Sequence, residues 1–231
     1  MKDTALEGAI GGANRGVIVQ GVDTLALRLA AGGGRIDDLP ASQLVAAGFT
    51  LLQRSAPLVR MLAGRRSALL LPPGPAAVVA LAASDGRGAV ILPLGASPEE
   101  LAALCAVADV GAVFTTDALR SRLPASLGVV CLDQVPRAAV VHVPDGREQT
   151  VDLGSHVGLT IEGETDLPGR EEEALLLPSV PPSVPPMALT HRALLDREGL
   201  EVQVGSSRAD ATLLTALLIP LLAGRTLGVA S

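Results

Sequence analysis

The sequence contains several short runs of apolar residues that are continuous rather than alternating with polar ones. A strand with one face in water alternates, so a continuous run indicates a strand that is buried on both faces. Segments with helical features lie between consecutive runs, and strands separated by helices form a mostly parallel sheet flanked by helices. The sequence therefore predicts an α/β fold, with strands at residues 67–71, 88–94, 112–115, 128–132 and 174–177.

The predicted helices are recognised by their spacing and their ends. Apolar residues at helical spacing predict a long helix over 41–62, bent at Pro57. Small residues over 75–84 predict a helix that lies close on the sheet. Ser97 is placed to cap a helix that reaches about residue 108, and a short helix follows at 117–123. These helices alternate with the predicted strands and so support the α/β prediction.

The remaining segments have weaker patterns. A glycine-rich beginning contains a short apolar run at 17–19, which predicts a strand. Residues 140–143 predict the first strand of a hairpin, with the return strand at 157–161. A helix is predicted over 190–198, and an apolar segment over 211–222 completes the chain.

Length and composition limit the domain organisation. The chain has 231 residues, 48% of them hydrophobic, so it can bury a core without a metal or a disulfide. We expect a single domain, 1–231, with three regions. These are an α/β region at 1–139, a hairpin-like and charged region at 140–173, and a final region at 174–231 that holds an unusual proline-rich loop and apolar helices.

Composition also excludes several classes of function. The formal net charge is -6 and the basic residues form no stripe, which excludes nucleic acid as a partner. With no Trp, no Tyr and two Phe, the chain cannot build a base-stacking platform. Its best apolar segment, 211–223, is shorter than the roughly 20 residues of a membrane span and contains Pro220. The cysteine usage and the N-terminal sequence favour a cytoplasmic location.

The potentially reactive side chains fit ordinary structural roles. Cys105 and Cys131 fall in a predicted helix and a predicted strand, which is typical of small buried hydrophobes rather than nucleophiles. His142 and His156 have no neighbouring Cys or carboxylate at metal-ligand spacing, so we expect no metal site. The glutamates at 171–173 predict a solvated loop.

A tandem tetrapeptide, S-V-P-P-S-V-P-P, occupies residues 179–186. Together with Pro178 it contains two P-x-x-P patterns, which are typical of ligands for the aromatic grooves of peptide-recognition domains. No Arg or Lys flanks them closely enough to orient such a ligand. We favour the other interpretation, a rigid polyproline-like connector.

Four segments, in order along the chain, resemble the adenylate-forming enzymes, which include acyl-CoA synthetases and the adenylation domains of peptide synthetases. They are R-R-S-A-L-L-L-P-P-G-P at 65–75, G-R-G-A-V-I-L-P-L at 86–94 with P-E-E-L after it, L-T-H-R-A-L-L at 189–195, and P-L-L-A-G-R-T at 220–226. The resemblance implies the fold of that family's N-terminal part, and ATP-dependent activation of a carboxylic acid as the ancestral activity.

The resemblance places a phosphate-binding loop immediately before L-T-H-R, where this chain has the tandem tetrapeptide. In the family that loop is rich in Ser, Thr and Gly and carries a Lys, whereas no Gly or Lys lies between residues 174 and 189 here. The hydroxyls of Ser179 and Ser183 are the remaining candidate phosphate ligands, with Thr190 after them. His191 is implied as a substrate-gating residue, although Thr190 and His191 also fit an ordinary helix start.

The resemblance also implies that the chain corresponds to about half of such an enzyme. The adenine-binding strand, the acid that positions magnesium and the catalytic Lys of the family have no matching residue here. We expect the apolar segment 211–222 to be left uncovered in a monomer, which predicts self-association or association with a full-length enzyme of the family.

Three hypotheses about function follow. The first is a non-catalytic relative, a pseudoenzyme without a bound cofactor, which serves as a binding or structural partner in acyl, polyketide or peptide metabolism. Its partner would be a second copy, a full-length adenylate-forming enzyme or a carrier-protein system. The second is an acyl-activating enzyme that another chain completes and that uses ATP and magnesium. The third is a decayed gene product without a selected function.

Overall fold

A mixed eight-stranded sheet runs through the protein in a computed structural model that describes residues 24–84, 88–154, 172–178, 186–196 and 213–228. The strands, in chain order, are β1 (Arg35–Ile36), β2 (Leu39–Pro40), β3 (Arg66–Leu70), β4 (Ala89–Ile91), β5 (Val110–Thr115), β6 (Gly128–Leu132), β7 (Ala138–His142), β8 (Glu148–Asp152), β9 (Glu173–Leu177), β10 (Met187–Thr190) and β11 (Thr226–Leu227). The large sheet has the order β10-β9-β4-β3-β5-β6-β7-β8, and β11-β1-β2 form a small separate sheet.

The helices lie between these strands in the sequence. They are α1 (Leu25–Ala31), α2 (Ala41–Arg54), α3 (Ala56–Leu62), α4 (Pro75–Ala83), α5 (Pro98–Val107), α6 (Asp117–Arg120), α7 (His191–Asp196) and α8 (Ile219–Leu222), and a π-helical segment, Leu214–Leu218, leads into α8. The predicted α/β fold, with helices flanking a mostly parallel sheet, is confirmed. No helix in the described ranges is long and apolar enough to span a membrane.

Helices cover the central strands on both faces. Alternate residues of β3 show this directly, since Leu69 belongs to the core shared with α2 and α4, while Ala68 and Leu70 belong to the core under α5. Because both faces are buried, the strand has no polar alternation, which is why its sequence is a continuous apolar run. Ser97 caps α5 by accepting a hydrogen bond from the Glu100 amide at 3.2 Å, as predicted.

Two predicted helices have different bounds in the structure, because hydrogen bonds at their ends set where each helix starts. The helix predicted over 41–62 is two helices, broken at Ser55 rather than bent at Pro57. The Ser55 hydroxyl accepts the Leu58 amide at 3.3 Å and so starts α3. The helix predicted from 190 begins one residue later, because residues 187–190 pair with β9 as the strand β10.

The hairpin also differs from the prediction. Its return strand is β8, immediately after a turn in which Gly146 has a φ of 87°, and not residues 157–161. Residues 157–161 lie outside the described residues, as does the strand predicted at 17–19. The helix α1 was not predicted from the sequence at all, because glycine-rich turns dominate its surroundings.

The apolar C-terminal segment is covered by the chain itself, which corrects the expectation that it would be exposed in a monomer. Its large side chains pack into the main core, and Leu213, Leu214, Leu217, Leu218 and Leu221 are each no more than 2% exposed. Gly34 allows this packing, because a Cβ at that position would lie 2.6 Å from the carbonyl oxygen of Leu221. The argument for self-association from an uncovered apolar surface therefore fails.

Candidate functional site

The carboxyl edge of the sheet is the place where an open α/β sheet normally binds its ligand. Strands β9, β4, β3, β5 and β6 are parallel, so their carboxyl ends meet along one edge. The chain runs from β3 to β4 on one side and then returns to β5 on the other, which makes the edge between β3 and β5 the topological switch point. We therefore take this edge as the candidate site.

Prolines and glycine follow β3 at this edge. Pro72, Pro73 and Gly74 lead into α4, whose first residue is Pro75, and no side chain caps the helix. Beside them, Thr115 at the end of β5 is fully buried, and its hydroxyl donates to the Leu70 carbonyl at 3.1 Å. The Thr115 hydroxyl is thus used to join the ends of two strands.

Arg122 brings a guanidinium to the same edge, just after α6. It donates to the carbonyl oxygen of Leu94 at 2.7 Å and also to that of Ala96, in the loop that follows β4. Since both contacts are to main-chain oxygens of this chain, the cation fixes a loop between β4 and α5. Sequence reasoning missed this role, because a lone arginine carries no motif.

The proline-rich segment joins this edge as well. Pro178 is buried directly after β9, and the chain returns at Pro186 to form β10. Both ends of the segment therefore lie at the carboxyl edge, where the resemblance puts a phosphate loop. The candidate ligands Ser179 and Ser183 lie outside the described residues.

Thr190 lies at the other end of the β9–β10 hairpin. It pairs with Glu173, the first residue of β9, whereas Met187 pairs with Leu177, the last. A strand rises about 3.3 Å per residue, so Thr190 is roughly 10 Å along the strand from the carboxyl edge. Its hydroxyl accepts the Ala193 amide at 3.1 Å and so caps α7, the ordinary role that its position in the sequence suggested.

His191 is fully buried and joins two distant parts of the chain. Its Nδ1 accepts a hydrogen bond from the Leu25 amide at 3.0 Å, across 166 positions of sequence. Its own amide donates to the Glu172 carbonyl at 3.1 Å. The structure thus brings Thr190 and His191 together at the amino edge of the sheet, away from the carboxyl edge.

That amino edge holds a cleft of about 570 Å³. Arg66 crosses it to an ion pair with Glu173 at 2.7 Å, and Arg65 pairs with Asp109 at 3.0 Å. Glu173 was predicted to be part of a solvated loop, but it starts β9 and is about half exposed. The sequence contains a signal for this pairing, since the arginines and Glu173 come at the start of parallel strands, which share an edge.

The cysteines and His142 have surroundings that fit structural roles. Burial raises the pKa of Cys105 to about 11, and burial is also the main cause that raises the pKa of Cys131. His142 approaches Glu148 at 2.8 Å across the β7–β8 pair, a contact that was missed because the return strand was placed at 157–161. Among the described residues, no three His, Cys, Asp or Glu side chains converge on a metal site.

Known structures share this architecture. The chain superimposes on MatB from Rhodopseudomonas palustris with a TM-score of 0.59 and 16% identity, covering 90% of this chain and 45% of MatB. A benzoate CoA ligase from Burkholderia xenovorans gives 0.57 and 15%, with 90% and 45% covered. The fold is that of the N-terminal part of the adenylate-forming enzymes. The resemblance read from the four sequence segments is confirmed at the level of the fold.

Other adenylate-forming enzymes match over a similar part of this chain. The nonribosomal peptide synthetase FmoA3 gives a TM-score of 0.57 at 16% identity, covering 94% of this chain and 24% of FmoA3. The chain thus spans less than half the length of MatB, the benzoate CoA ligase or FmoA3. At these identities the likeness establishes the fold alone. No protein-family model matches the sequence, and no curated protein matches it at the sequence level.

Proposed function

We propose that this protein is a non-catalytic relative of the AMP-forming acyl-CoA synthetases and adenylation domains, and that it acts as a binding or structural partner in acyl, polyketide or peptide metabolism. One observation carries the proposal. The segment that leaves and re-enters the sheet at its carboxyl edge, residues 178–186, is P-S-V-P-P-S-V-P-P. By the sequence resemblance it corresponds to the family's phosphate loop, but its chemistry is different.

A phosphate loop works because several backbone N–H groups converge on the phosphate oxygens. Five of the nine residues from 178 to 186 are prolines, which have no N–H, so four amides remain. Proline also fixes φ near -65°, and repeated prolines favour an extended helix that turns away from a compact anion rather than around it. With no Gly and no Lys in the segment, we infer that it does not hold a triphosphate, so that neither ATP nor magnesium is a cofactor.

Other groups at the carboxyl edge of the sheet support the same proposal. Arg122, which brings positive charge to the carboxyl edge, donates to two carbonyl oxygens of its own chain. The Thr115 hydroxyl donates to Leu70. Groups that could otherwise contact a nucleotide are used here to hold strand ends and a loop together.

A protein of this kind would act through binding. The partner we propose is a full-length adenylate-forming enzyme, a carrier-protein system or a second copy of the chain. The alternative is an AMP-forming acid–thiol ligase that another chain completes. In that case Ser179 and Ser183 would supply hydroxyls to ATP phosphates, whereas Thr190 and His191, at the amino edge, would keep the structural contacts described above.

Calorimetric titration of the purified, monodisperse protein with ATP and magnesium tests the proposal. We expect no heat of binding from the folded protein at ATP concentrations up to several millimolar. Binding tighter than about 1 mM would overturn the proposal, because the proline-rich segment would then hold phosphates. The double variant S179A/S183A would show whether the two hydroxyls are responsible.

The surface variant Ser126→Ala is the matched control for that double variant, since it removes an exposed hydroxyl before β6, at the opposite edge of the sheet from residues 178–186. Binding lost in S179A/S183A and retained in Ser126→Ala would establish the enzyme alternative. A wild-type protein that does not fold to a defined size in solution would instead favour the decayed gene product.

A further inference from the structure

His191 is the one described histidine with no exposed surface, and its role is absent from the proposed function. Its Nδ1 accepts the backbone N–H of Leu25, the first residue of α1, at 3.0 Å. A neutral imidazole has one donor and one acceptor nitrogen, so this bond requires the tautomer with its proton on Nε2. We propose that His191 is an acid-sensitive clasp that holds α1 on α7 at neutral pH and releases it when the imidazole is protonated.

The clasp acts as a long-range cap for α1. The first amides of a helix have no partner within it. In α1 the Thr24 hydroxyl accepts the Leu27 amide at 3.4 Å, and His191 accepts the Leu25 amide. One cap therefore comes from the neighbouring residue and the other from a side chain 166 positions away.

Protonation removes this cap in two ways. A protonated imidazole has an N–H at both nitrogens, so Nδ1 would point a hydrogen at the Leu25 N–H instead of accepting it. The new positive charge would also lie at the positive end of the α1 dipole. Because both the imidazole and Leu25 are buried, water cannot replace the lost bond unless α1 moves away.

The elements around the clasp carry charged groups of both signs. Both α1 and β10 pack against α7. β10 has no titratable side chain, and α1 brings a cation, Arg28. Glu172 meets the histidine through its main-chain carbonyl, and Glu173, the first residue of β9, pairs with Arg66. The charges on α7 itself are Arg192 and Asp196, which pair with each other at 3.4 Å.

Release of α1 would expose apolar surface. Leu25, Ala26, Leu27 and Leu29 are each less than 9% exposed, and they belong to the main core. The helix contacts α2, α7 and α8. Dissociation of α1 would expose side chains on these helices, while the central strands β3 and β5 would stay paired within the sheet.

Hydrogen exchange of the full chain between pH 7.5 and 5.5 tests the clasp. After correction for the intrinsic exchange rate, we expect protection of the α1 amides to fall about tenfold per pH unit below about 6.5, because opening takes up one proton on a free imidazole. Protection of the β3 amides serves as the internal reference and should stay constant.

Two variants separate the clasp from general acid sensitivity. His191→Asn keeps an acceptor oxygen near the position of Nδ1 but does not titrate, so α1 protection should become independent of pH. His142→Asn removes the imidazole on β7, which is 12% exposed, and should retain the wild-type slope. A flat wild-type profile, or equal slopes in the wild type and His191→Asn, would overturn the proposal.

A third variant tests the bond itself. His191→Phe fills the same space without an acceptor, so α1 protection should be lost already at pH 7.5. Intact α1 protection in a folded His191→Phe protein would contradict the clasp. If this variant does not fold, the comparison of the wild type with His191→Asn decides the question.

Discussion

Cys105 shows how burial of one side chain makes the stability of this protein depend on pH. Burial raises its pKa to about 11 in the folded chain, against 9.0 for an exposed thiol. Above pH 9 the unfolded chain therefore releases a proton that the folded chain retains, and the free energy of unfolding falls as the pH rises from 9 towards 11. The chain has no tyrosine and a single lysine, Lys2, so few other side chains titrate in this range.

We predict that this alkaline loss of stability is shallower in Cys105→Ala than in the wild type. The variant should be less stable at pH 8, by about 1 kcal/mol, because it leaves a small cavity. Urea unfolding at pH 8.5, 9.5 and 10.5, followed by circular dichroism, measures both effects. Cys131→Ala is the matched control, since Cys131 is less deeply buried and should contribute a smaller slope. Parallel curves for the wild type and Cys105→Ala would contradict the prediction.

Some roles of single residues could be predicted from neighbouring sequence, and others could not. The caps formed by Ser97 and Thr190 depend on residues three positions away, so the sequence predicts them. The partners of His191 and Arg66 come from other elements, and such pairs become visible only when the strand order is known. The ligands proposed at Ser179 and Ser183 stay predictions, because those residues lie outside the described chain.

At the scale of elements, the central strands were predictable and the edge strands were not. β3, β5, β6 and β9 are buried on both faces, and so their sequences are continuous apolar runs. β8 is half exposed, with the sequence E-Q-T-V-D, which resembles a loop. Burial produces the sequence signal, and an edge strand lacks it.

The packing of α2 on α4 depends on Gly48. A Cβ at this position would lie 2.6 Å from the Ala82 Cβ and 2.8 Å from the Ala83 amide nitrogen, which are atoms that cannot move independently of α4. We predict that Gly48→Ala pushes the helices apart and lowers the free energy of unfolding by about 1–3 kcal/mol. Urea unfolding followed by circular dichroism measures this change, since the chain has no Trp or Tyr to report by fluorescence.

Gly95→Ala is the control for that packing prediction. It makes the same chemical change at a position where no atom lies within 4 Å of the new Cβ. Its effect should stay within about 0.5 kcal/mol of the wild type. Equal free energies of unfolding for Gly48→Ala and Gly95→Ala would contradict the prediction, because the close contact between α2 and α4 would then tolerate a Cβ at position 48.

For the whole molecule, the described part of the chain encloses its own core. Strands from residue 66 to residue 190 share one sheet, and the C-terminal segment packs against the same core as α1 and α2. The sequence alone predicted an exposed segment, because the resemblance implied a second half to cover it. The packing of Leu221 against Gly34 joins parts of the chain that no local pattern relates.

A C-terminal segment buried within the chain and one exposed to a partner lead to opposite expectations for the stability and the size in solution of Leu218→Ala. Leu218 is fully buried, so its truncation should leave a cavity and lower the free energy of unfolding by about 2–5 kcal/mol. The size of the protein in solution, measured by sedimentation, should stay the same while the variant is folded. Val107→Ala truncates a side chain that is 80% exposed and should change stability by less than about 0.5 kcal/mol. A residue that is buried within one chain contributes to folding and not to association. If Leu218→Ala kept the wild-type stability but sedimented as a smaller species, the segment would therefore be shown to contact a partner instead.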